Sequence, residues 1–385
     1  MSRHGRAQSS PAFAPSRRAL LAGLAGALLP PATQVLAQGS AVLPQAGAGA
    51  FDVAPRVPWL PMDPAATLTR IGFGSCLDQK HPQPIWKSVI TAAPELFIML
   101  GDNVYGDVKS EAMLELIEAY RKQGEHPEFA AARAAFPFLA TWDDHDYGLN
   151  DASGSFPHRD KAAQLFRSFW ARSNVQPDGG IYDSVTIGPD GRRVQVILLD
   201  TRSFRSDFRR KGEDFPYWGR YAPDPSPGKT MLGDRQWRWL EGELRKPAEI
   251  RLLCSSIQVL AEGHGFERWG NLPAERKRLL DLLASTEANG IVILSGDRHA
   301  GAMYALERSP RYPLVELTAS SLNRSYGPSK DERIAPLASG IYHPENFGLL
   351  VLDWEKGTVA VELHGMDGVI VTSRTMTLAE LATKR

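Results

Sequence analysis

Short apolar runs alternate with amphipathic segments along the chain from about residue 67 onward. The apolar runs predict strands at Arg70–Gly74, Leu96–Leu100, Phe138–Trp142, Val194–Leu199, Leu252–Ile257, Ile291–Ser295, Leu314–Thr318, Gly348–Leu352, Thr358–His364 and Val369–Thr372. Apolar residues at helical spacing predict helices at Pro84–Ala93, Glu111–Lys122, Arg159–Ala171, Asp234–Arg245 and Ala274–Thr286. The central strands are mostly apolar, as is typical of strands buried on both faces in α/β proteins. We therefore predict one α/β domain over residues 67–385.

The first 37 residues have the composition of an export signal. They contain no acidic residue, an apolar segment at residues 20–29, a possible cleavage site that ends at Ala37, and the arginines Arg3, Arg6, Arg17 and Arg18. The paired arginines directly before the apolar segment favour the twin-arginine export machinery. A membrane anchor is the alternative, but about ten apolar residues are too few to cross roughly 30 Å of hydrocarbon. We predict that residues 1–37 are removed and that the mature protein is periplasmic or secreted, without a stable membrane span.

Composition narrows the function of the remaining chain. The 385 residues hold 44 basic and 44 acidic side chains, and removal of residues 1–37 leaves 40 against 44, a net charge of −4. A mildly acidic chain offers no basic surface for a nucleic-acid scaffold role. Two cysteines are too few for a disulfide framework. Residues 38–66 are rich in Ala, Gly and Pro and are predicted to form an extended lead-in.

Polar side chains follow five of the predicted strands. The segments concerned are Ser75-Cys76, Asp102-Asn103-Val104-Tyr105, Asp143-Asp144-His145, Asp200-Thr201-Arg202 and Asp297-Arg298-His299. A single aspartate at such a place is commonly a turn residue, but the carboxyl ends of strands in α/β sheets are also where ligands bind. Clustered carboxylates repel one another unless cations lie between them. Two metals a few ångströms apart can clamp a phosphoryl group, so these segments favour a metal-dependent phosphoesterase.

These segments, taken together and in this order, resemble the PhoD-like (alkaline phosphatase D) branch of the metallophosphoesterases. The resemblance extends from about Ile71 to about Leu322 and includes Ser255-Ser256-Ile257-Gln258. It implies a four-layer α/β/β/α sandwich, a centre of two or more metal ions, and export. It also implies hydrolysis of phosphate esters by attack of metal-bound hydroxide on phosphorus.

The resemblance carries residue roles onto matching positions of this chain. The implied metal ligands are Cys76, Asp102, Tyr105, Asp144, Asp297 and His299. Cys76 stands where general relatives have a histidine, and Asp102 matches the aspartate that bridges both metals. A thiolate and a phenolate at one metal suggest Fe3+, and the many oxygen ligands favour Ca2+ or another divalent cation as its neighbour. Gln258 replaces a histidine of the family pattern, which weakens its case as a ligand.

Three further residues are candidates for catalysis. His145 matches the catalytic histidine of the family, although spacing alone does not distinguish a ligand from a general acid. Asn103 and Arg298 flank predicted ligands and could contact a phosphate oxygen, Arg298 in a bidentate manner.

Some of these residues have simpler explanations. Cys76 could be a small buried hydrophobic residue or form a disulfide with Cys254, which is otherwise expected in the core. Tyr105 could merely pack. Asp200 and Arg202 are interpreted as a structural ion pair. His264 is close enough to the strand ends to be a further candidate.

The sequence therefore predicts an exported hydrolase of small-molecule phosphate esters. A phosphomonoester is the default substrate, and phosphodiester or phospholipid cleavage is the nearest alternative. A non-catalytic exported metal- or phosphate-binding protein is the alternative of another class. The lead-in is too short for the separate β-rich amino-terminal domain of longer relatives, which predicts a more open site.

Overall fold

The apolar runs form the strands of the protein and the amphipathic segments form its helices. This computed structural model describes residues 51–309, 311–327, 332 and 334–382. The predicted signal over residues 1–37 and the first part of the lead-in lie outside the described residues. The described residues all belong to one compact unit, residues 45–385.

The strands are short and mostly buried. In chain order they are β1 Arg70–Gly74, β2 Leu96–Leu100, β3 Phe138–Thr141, β4 Asp183–Ile187, β5 Val194–Leu198, β6 Ile250–Ser255, β7 Ile291–Ser295, β8 Gly301–Leu306, β9 Leu314–Ala319, β10 Asn346–Asp353, β11 Thr358–Gly365 and β12 Ile370–Thr377. The helices are α1 Ile85–Thr91, α2 Leu114–Glu125, α3 Pro127–Ala135, α4 Asp144–Tyr147, α5 Arg159–Phe169, α6 Gly233–Leu244 and α7 Pro273–Ser285, with a 3-10 turn at Trp269–Asn271.

The strands form two six-stranded sheets of mixed direction. The first sheet has the order β12-β11-β10-β1-β2-β3, and the second has the order β4-β5-β6-β7-β9-β8. Strands β1, β2 and β3 run parallel, as do β5, β6, β7 and β9. The closing strands β10, β11 and β12 form the antiparallel series that the turn residues between them predict.

The two sheets pack face to face, and helices cover their outer faces. Side chains of β2 alternate between two cores, since Leu96 and Ile98 join the core shared with the second sheet. Phe97 and Met99 instead join a core built with α1, α2, α3 and α5. Helices α6 and α7 pack against the second sheet through residues such as Trp237. This is the four-layer α/β/β/α sandwich expected from the sequence, and the fold class is confirmed.

Every predicted strand and helix is present, with ends shifted by a few residues. The predicted strand Leu252–Ile257 is observed at Ile250–Ser255, and the predicted helix Glu111–Lys122 at Leu114–Glu125. Strands β4 and β8 and helices α3 and α4 were not predicted. Helix α4 has only four residues, which is too short to give a helical period.

The described part of the lead-in, residues 51–66, forms no helix or strand and lies against the first layer of helices. The Trp59 ring stacks on Trp170 with centroids 4.6 Å apart. The Trp59 indole N–H also donates to the carbonyl of Phe169 at 2.8 Å. These contacts fix the lead-in to the helices, because a partly buried aromatic ring gains both apolar burial and a ring–ring interaction.

Candidate metal centre

The parallel strands of both sheets end at one place and bring the predicted ligands together. Strands β1, β2 and β3 lead into Cys76, Asp102 and Asp144, and β7 leads into Asp297 and His299. Potential ligand atoms lie within 4.8 Å of one another in each of four overlapping groups, namely Cys76-Asp102-His299, Asp102-Asp144-His145, Asp102-Asp143-Asp144-Asp297 and Asp144-Asp151-Glu267. Asp102 belongs to three of these groups, which fits the bridging position implied by the family resemblance.

Four of the predicted ligands adopt a backbone conformation that side chains other than glycine rarely adopt. The φ angles are 58° at Cys76, 50° at Asp102, 65° at Asp297 and 53° at His299. Each such residue costs about 1–3 kcal/mol, and this strain is typical of functional sites. The backbone thus turns abruptly after each strand and presents the side chain at its end.

Cys76, Asp102 and Tyr105 contact one another in the interior. The Asp102 carboxylate oxygen Oδ2 lies 3.5 Å from the Cys76 sulfur and accepts a hydrogen bond from the Tyr105 hydroxyl at 3.0 Å. The guanidinium of Arg324 lies over the Tyr105 ring, 3.9 Å from its centroid. The Cys76 thiol is free, as is that of Cys254, which is buried in β6. The alternative disulfide between the two is therefore not formed.

His299 is held in a fixed orientation by its neighbours. Its backbone N–H donates to the Ser320 hydroxyl at 2.8 Å, and its ring stacks on Tyr326 with centroids 4.1 Å apart. Its Nδ1 contacts the carbonyl of Arg324 and must donate to it, because a carbonyl only accepts. Nε2 is then the nitrogen available for a metal, the arrangement usual for histidine ligands.

His145 lies beside the acidic cluster and pairs with Asp107. Its Nδ1 is 2.8 Å from the Asp107 carboxylate, and its ring lies 4.4 Å from that of Tyr105 between centroids. Burial tends to lower the pKa of His145, but the charges of Asp144, Asp102 and Asp107 outweigh it and raise the pKa to about 10. The imidazole is therefore poised to carry a proton when the acids are ionised.

Asp102 and Asp297 lie in surroundings that disfavour their charged form, which tests whether cations fit among the acids of the cluster. Burial raises the pKa of Asp102 well above its ordinary value, and the neighbouring Asp144 carboxylate raises it further. Burial likewise raises the pKa of Asp297, together with the charges of Asp143 and Glu267. Cations between these groups would allow all of them to ionise. Buried thiol, imidazole, phenol and carboxylate donors within coordinating reach therefore fit a metal centre.

A network of buried ion pairs contacts the acidic cluster through Asp143 and Glu267. The Arg202 guanidinium, fully buried, donates to Asp143 at 2.7 Å and lies 2.7 Å from the carboxylate of Glu267. The predicted ion pair between Asp200 and Arg202 is wrong. Asp200 instead accepts hydrogen bonds from the backbone N–H groups of Arg202 and Ser203, because its short side chain caps the turn after β5.

Asn103 and Arg298 have different surroundings. The Asn103 amide donates to the carbonyl of Thr141 at 2.8 Å and to Asp146, and its Oδ1 is buried without a hydrogen-bond partner. Arg298 lines an open cleft of about 190 Å³ beside the cluster. Its guanidinium lies 4.9 Å from the centroid of the Phe266 ring. Arg298 is thus available to a ligand in the cleft, whereas Asn103 belongs to the packed floor.

Gln258 and His264 belong to none of the metal-binding groups and bond to each other. The Gln258 amide donates to Tyr304 and Thr318, and its carbonyl oxygen lies 2.8 Å from Nε2 of His264. The Nδ1 of His264 accepts the backbone N–H of Phe266 at 3.1 Å. These contacts make the pair a support for the loop after β6.

The sequence interpretation missed several residues of the site. They are Asp107, Asp143, Asp151, Glu267 and Arg324. Asp143 stands next to Asp144 within a segment already singled out, and Asp107 lies two residues beyond another, so their position close to predicted ligands in the chain was an available signal. Asp151, Glu267 and Arg324 lie in loops with no spacing pattern, so only the fold reveals them.

Two sheets packed face to face, with a thiol, imidazoles and carboxylates gathered where their strands end, define a fold of the metallophosphoesterase type. A sequence model of the PhoD-like phosphatase family matches residues 72–363, and the chain belongs to that family. This confirms the resemblance on which the residue assignments depend.

Individual proteins are similar to the chain in sequence or in fold. Alkaline phosphatase D of Bacillus subtilis (strain 168) is 25% identical over 272 residues, which cover 59% of this chain and 45% of the relative. The chain thus spans less than half the length of that protein. A solved structure of PhoD superposes with a TM-score of 0.65 at 19% identity, covering 83% of this chain and 70% of the other. The structure of purple acid phosphatase PPD1 from yellow lupin (Lupinus luteus) seeds superposes with a TM-score of 0.55 at 11% identity. This match covers 82% of this chain and 55% of the other. These two structures share the fold.

Proposed function

We propose that the protein is a metal-dependent phosphoric ester hydrolase. The observation that supports this most directly is the overlap of three metal-binding groups at Asp102, beside a cleft lined by His145 and Arg298. A structural metal site would be closed, whereas this one adjoins an open cleft, as catalytic sites do.

The residues divide into two sets of ligands. Cys76, Asp102, Tyr105 and His299 offer the thiolate, phenolate and imidazole that suit Fe3+. Asp102, Asp144 and Asp297 offer oxygens for a harder cation such as Ca2+. When bound, such a pair of cations neutralises charge on the phosphoryl oxygens and activates water for attack on phosphorus.

His145 acts on the departing oxygen in this proposal. Because Asp107 faces Nδ1, Nε2 is left to donate a proton to the leaving alcohol. Arg298 binds a non-bridging phosphoryl oxygen from the side of the cleft. Asn103 acts indirectly, by holding the loop after β2 against Asp146.

The substrate is a small phosphate ester, with a monoester as the default. A phosphodiester is the second candidate, because the cleft continues past the metal centre to Trp218 and Arg220 and leaves room for a second substituent. A protein that binds metal or phosphate without turnover would have no need for the His145–Asp107 pair.

We also propose export through the twin-arginine route, which rests on the pattern of residues 1–37. None of the helices in the described part of the chain combines the length and the apolar character needed to cross a bilayer.

The enzyme proposal is tested with the purified mature protein and variants of its bridging residue. We expect hydrolysis of aryl phosphate mono- or diesters once iron and calcium are supplied. The metal content of each protein is measured by elemental analysis. The Asp102→Asn protein should bind less metal, and its kcat/KM should fall at least about 100-fold, because the substitution removes a ligand of both cations. Asp190→Asn changes a side chain that is 97% exposed and serves as the matched control. Absence of hydrolysis with both metals bound would contradict the proposal.

A further inference from the structure

The cleft beside the metal centre has an aromatic wall that the hydrolytic chemistry does not use. This aromatic wall consists of Trp218, Phe266 and Tyr326. The side chains of Trp218 and Tyr326 remain 47% and 55% exposed. Aromatic rings that stay exposed along a concave cleft are typical of ligand-binding sites, because a bound ligand covers their apolar surface.

The backbone holds two of these rings in a fixed arrangement. Gly219 and Gly265 form an isolated β-bridge, in which the Gly265 N–H donates to the Trp218 carbonyl and the Arg220 N–H donates to the Gly265 carbonyl, both at 2.7 Å. A Cβ on Gly219 would lie 2.2 Å from the Gly265 carbonyl carbon, and its φ of +132° is also unsuited to a side chain. Only glycine permits this approach, which sets Trp218 edge-on to Phe266 with centroids 4.8 Å apart.

The aromatic wall is also connected to the residues that would hold the phosphate. Arg298 stacks on Phe266 and lies between Asp297 and His299 in the chain. On the other side, Arg220 pairs with Asp151 at 2.7 Å, and the Asp151 N–H donates to Asp144 at 2.7 Å. One cleft is thus lined both by metal-binding residues and by the aromatic wall, so the alcohol substituent of a phosphoryl group at the metal centre would have this wall beside it.

We propose that the aromatic wall binds the alcohol part of the substrate as a planar aromatic ring, such as the base of a nucleotide or an aryl group. The inference rests on the proposed function, because it names the substrate class of the same cleft. Ring faces stack without regard to base identity. Hydrolysis of such an ester adds the hydroxyl of water to phosphorus and its proton to the leaving oxygen, giving phosphate and the free alcohol.

Two matched pairs of substrates isolate the ring from the reactivity of the ester. Adenosine 5′-monophosphate is compared with methyl ribofuranoside 5-phosphate, and benzyl phosphate with cyclohexylmethyl phosphate. Both esters of each pair release a primary alcohol, so the ring accounts for most of the difference in kcat/KM between them. We expect the aromatic member to be favoured about tenfold, which corresponds to about 1.4 kcal/mol.

Variants of Trp218 identify the source of this preference. Trp218→Leu keeps apolar volume but removes the ring and should bring the ratio of the two kcat/KM values toward one. Trp218→Phe keeps a ring face and should retain most of the preference. Leu114→Ala removes an apolar side chain that is 65% exposed outside the cleft and should leave the ratio unchanged. A merely structural effect of Trp218→Leu would lower both rates alike and leave the ratio as it was.

The outcomes separate this inference from the proposed function. Hydrolysis of all four esters with ratios near one would overturn the aromatic wall as a binding site and leave the hydrolase proposal intact. A ratio that survives Trp218→Leu would overturn the role given to Trp218. Hydrolysis of none of the four, with metals bound, would contradict the proposed function itself. An advantage in the nucleotide pair alone supports a nucleobase, and one in both pairs supports any planar ring.

Discussion

Two adjacent aspartates after β3 illustrate how residues of one type acquire different tasks. Asp143 points to the buried guanidinium of Arg202, from which it accepts a hydrogen bond at 2.7 Å. Asp144 accepts the backbone N–H of Asp151 and belongs to three of the groups that could hold a metal. Their roles are set mainly by distant residues, Arg202 for Asp143 and both Asp102 and Asp297 for Asp144, so spacing alone could not assign them.

His145 depends in the same way on Asp107, and this dependence can be tested. Asp107→Ala removes the carboxylate that faces Nδ1, so the imidazole loses both its orientation and a charge that raises its pKa. We expect kcat to fall roughly 10- to 100-fold at unchanged metal content. If protonated His145 is the acid, the alkaline limb of the pH–rate profile should also move to lower pH.

A matched control lies outside the site. Glu128 lies 3.0 Å from His126, and neither residue belongs to the acidic cluster, so Glu128→Ala removes a similar acid–histidine contact elsewhere in the protein. An Asp107→Ala enzyme with the activity and pH profile of the parent would exclude the orienting role.

At the scale of elements, the loop after β6 is fixed by a histidine that must stay neutral. Nδ1 of His264 accepts the backbone N–H of Phe266, which is possible only while Nδ1 carries no proton. Burial lowers the pKa of His264 well below its ordinary value, and the charges of Arg298 and Arg268 lower it further. The Glu332 carboxylate lies 3.8 Å from Nε2 and opposes this shift.

This loop should make stability depend on pH in a defined direction. Because the pKa of His264 is lower in the folded than in the unfolded chain, the unfolded chain binds more protons below about pH 6.5. The contribution of neutral His264 to the stability of the folded chain is complete above that pH and is lost as the pH falls. Between pH 7 and pH 5 the free energy of unfolding, measured with urea, should fall less for His264→Gln than for the parent protein. Equal losses in both proteins would contradict this interpretation.

The strands and their polar ends were predictable, whereas several short elements were not. The run Ile291–Ser295 is buried throughout and apolar as far as Leu294, and Asp297 and His299 follow it closely, so the local pattern and the chemistry coincide. Strand β4 forms the edge of its sheet and carries only one fully buried residue, Ile187. It therefore lacks the apolar run on which the prediction of strands depends. Helix α3 begins at Pro127 directly after α2, and its start signal was overlooked.

At the scale of the whole molecule, the ion network joins the two sheets beneath the site. Arg202 follows β5 of the second sheet, and Asp143 follows β3 of the first. Glu267 completes the network at 2.7 Å from Arg202. Because all three side chains are almost fully buried, removal of one partner leaves charge without compensation in the interior.

Arg202→Leu should therefore destabilise the protein far more than loss of a surface ion pair. We expect the free energy of unfolding to fall by about 3–5 kcal/mol, measured by urea denaturation. Arg245→Leu removes an exposed arginine directly after α6 that pairs with Glu241, and should cost at most about 0.5 kcal/mol. A comparable loss in the two variants would show that the network contributes no more than a surface pair.

The pairing of β1 with β10 has a consequence for how the chain is made. Arg70 lies opposite Val351 in this antiparallel pair. A chain grows at about 5–20 residues per second, so roughly a quarter of a minute to a minute separates synthesis of these partners. During that interval β1, β2 and β3 have been synthesised without the neighbour that completes their sheet. Asp297 and His299 also emerge long after Cys76 and Asp102. The first sheet can therefore be completed, and the metal-binding residues brought together, only after most of the chain has been synthesised.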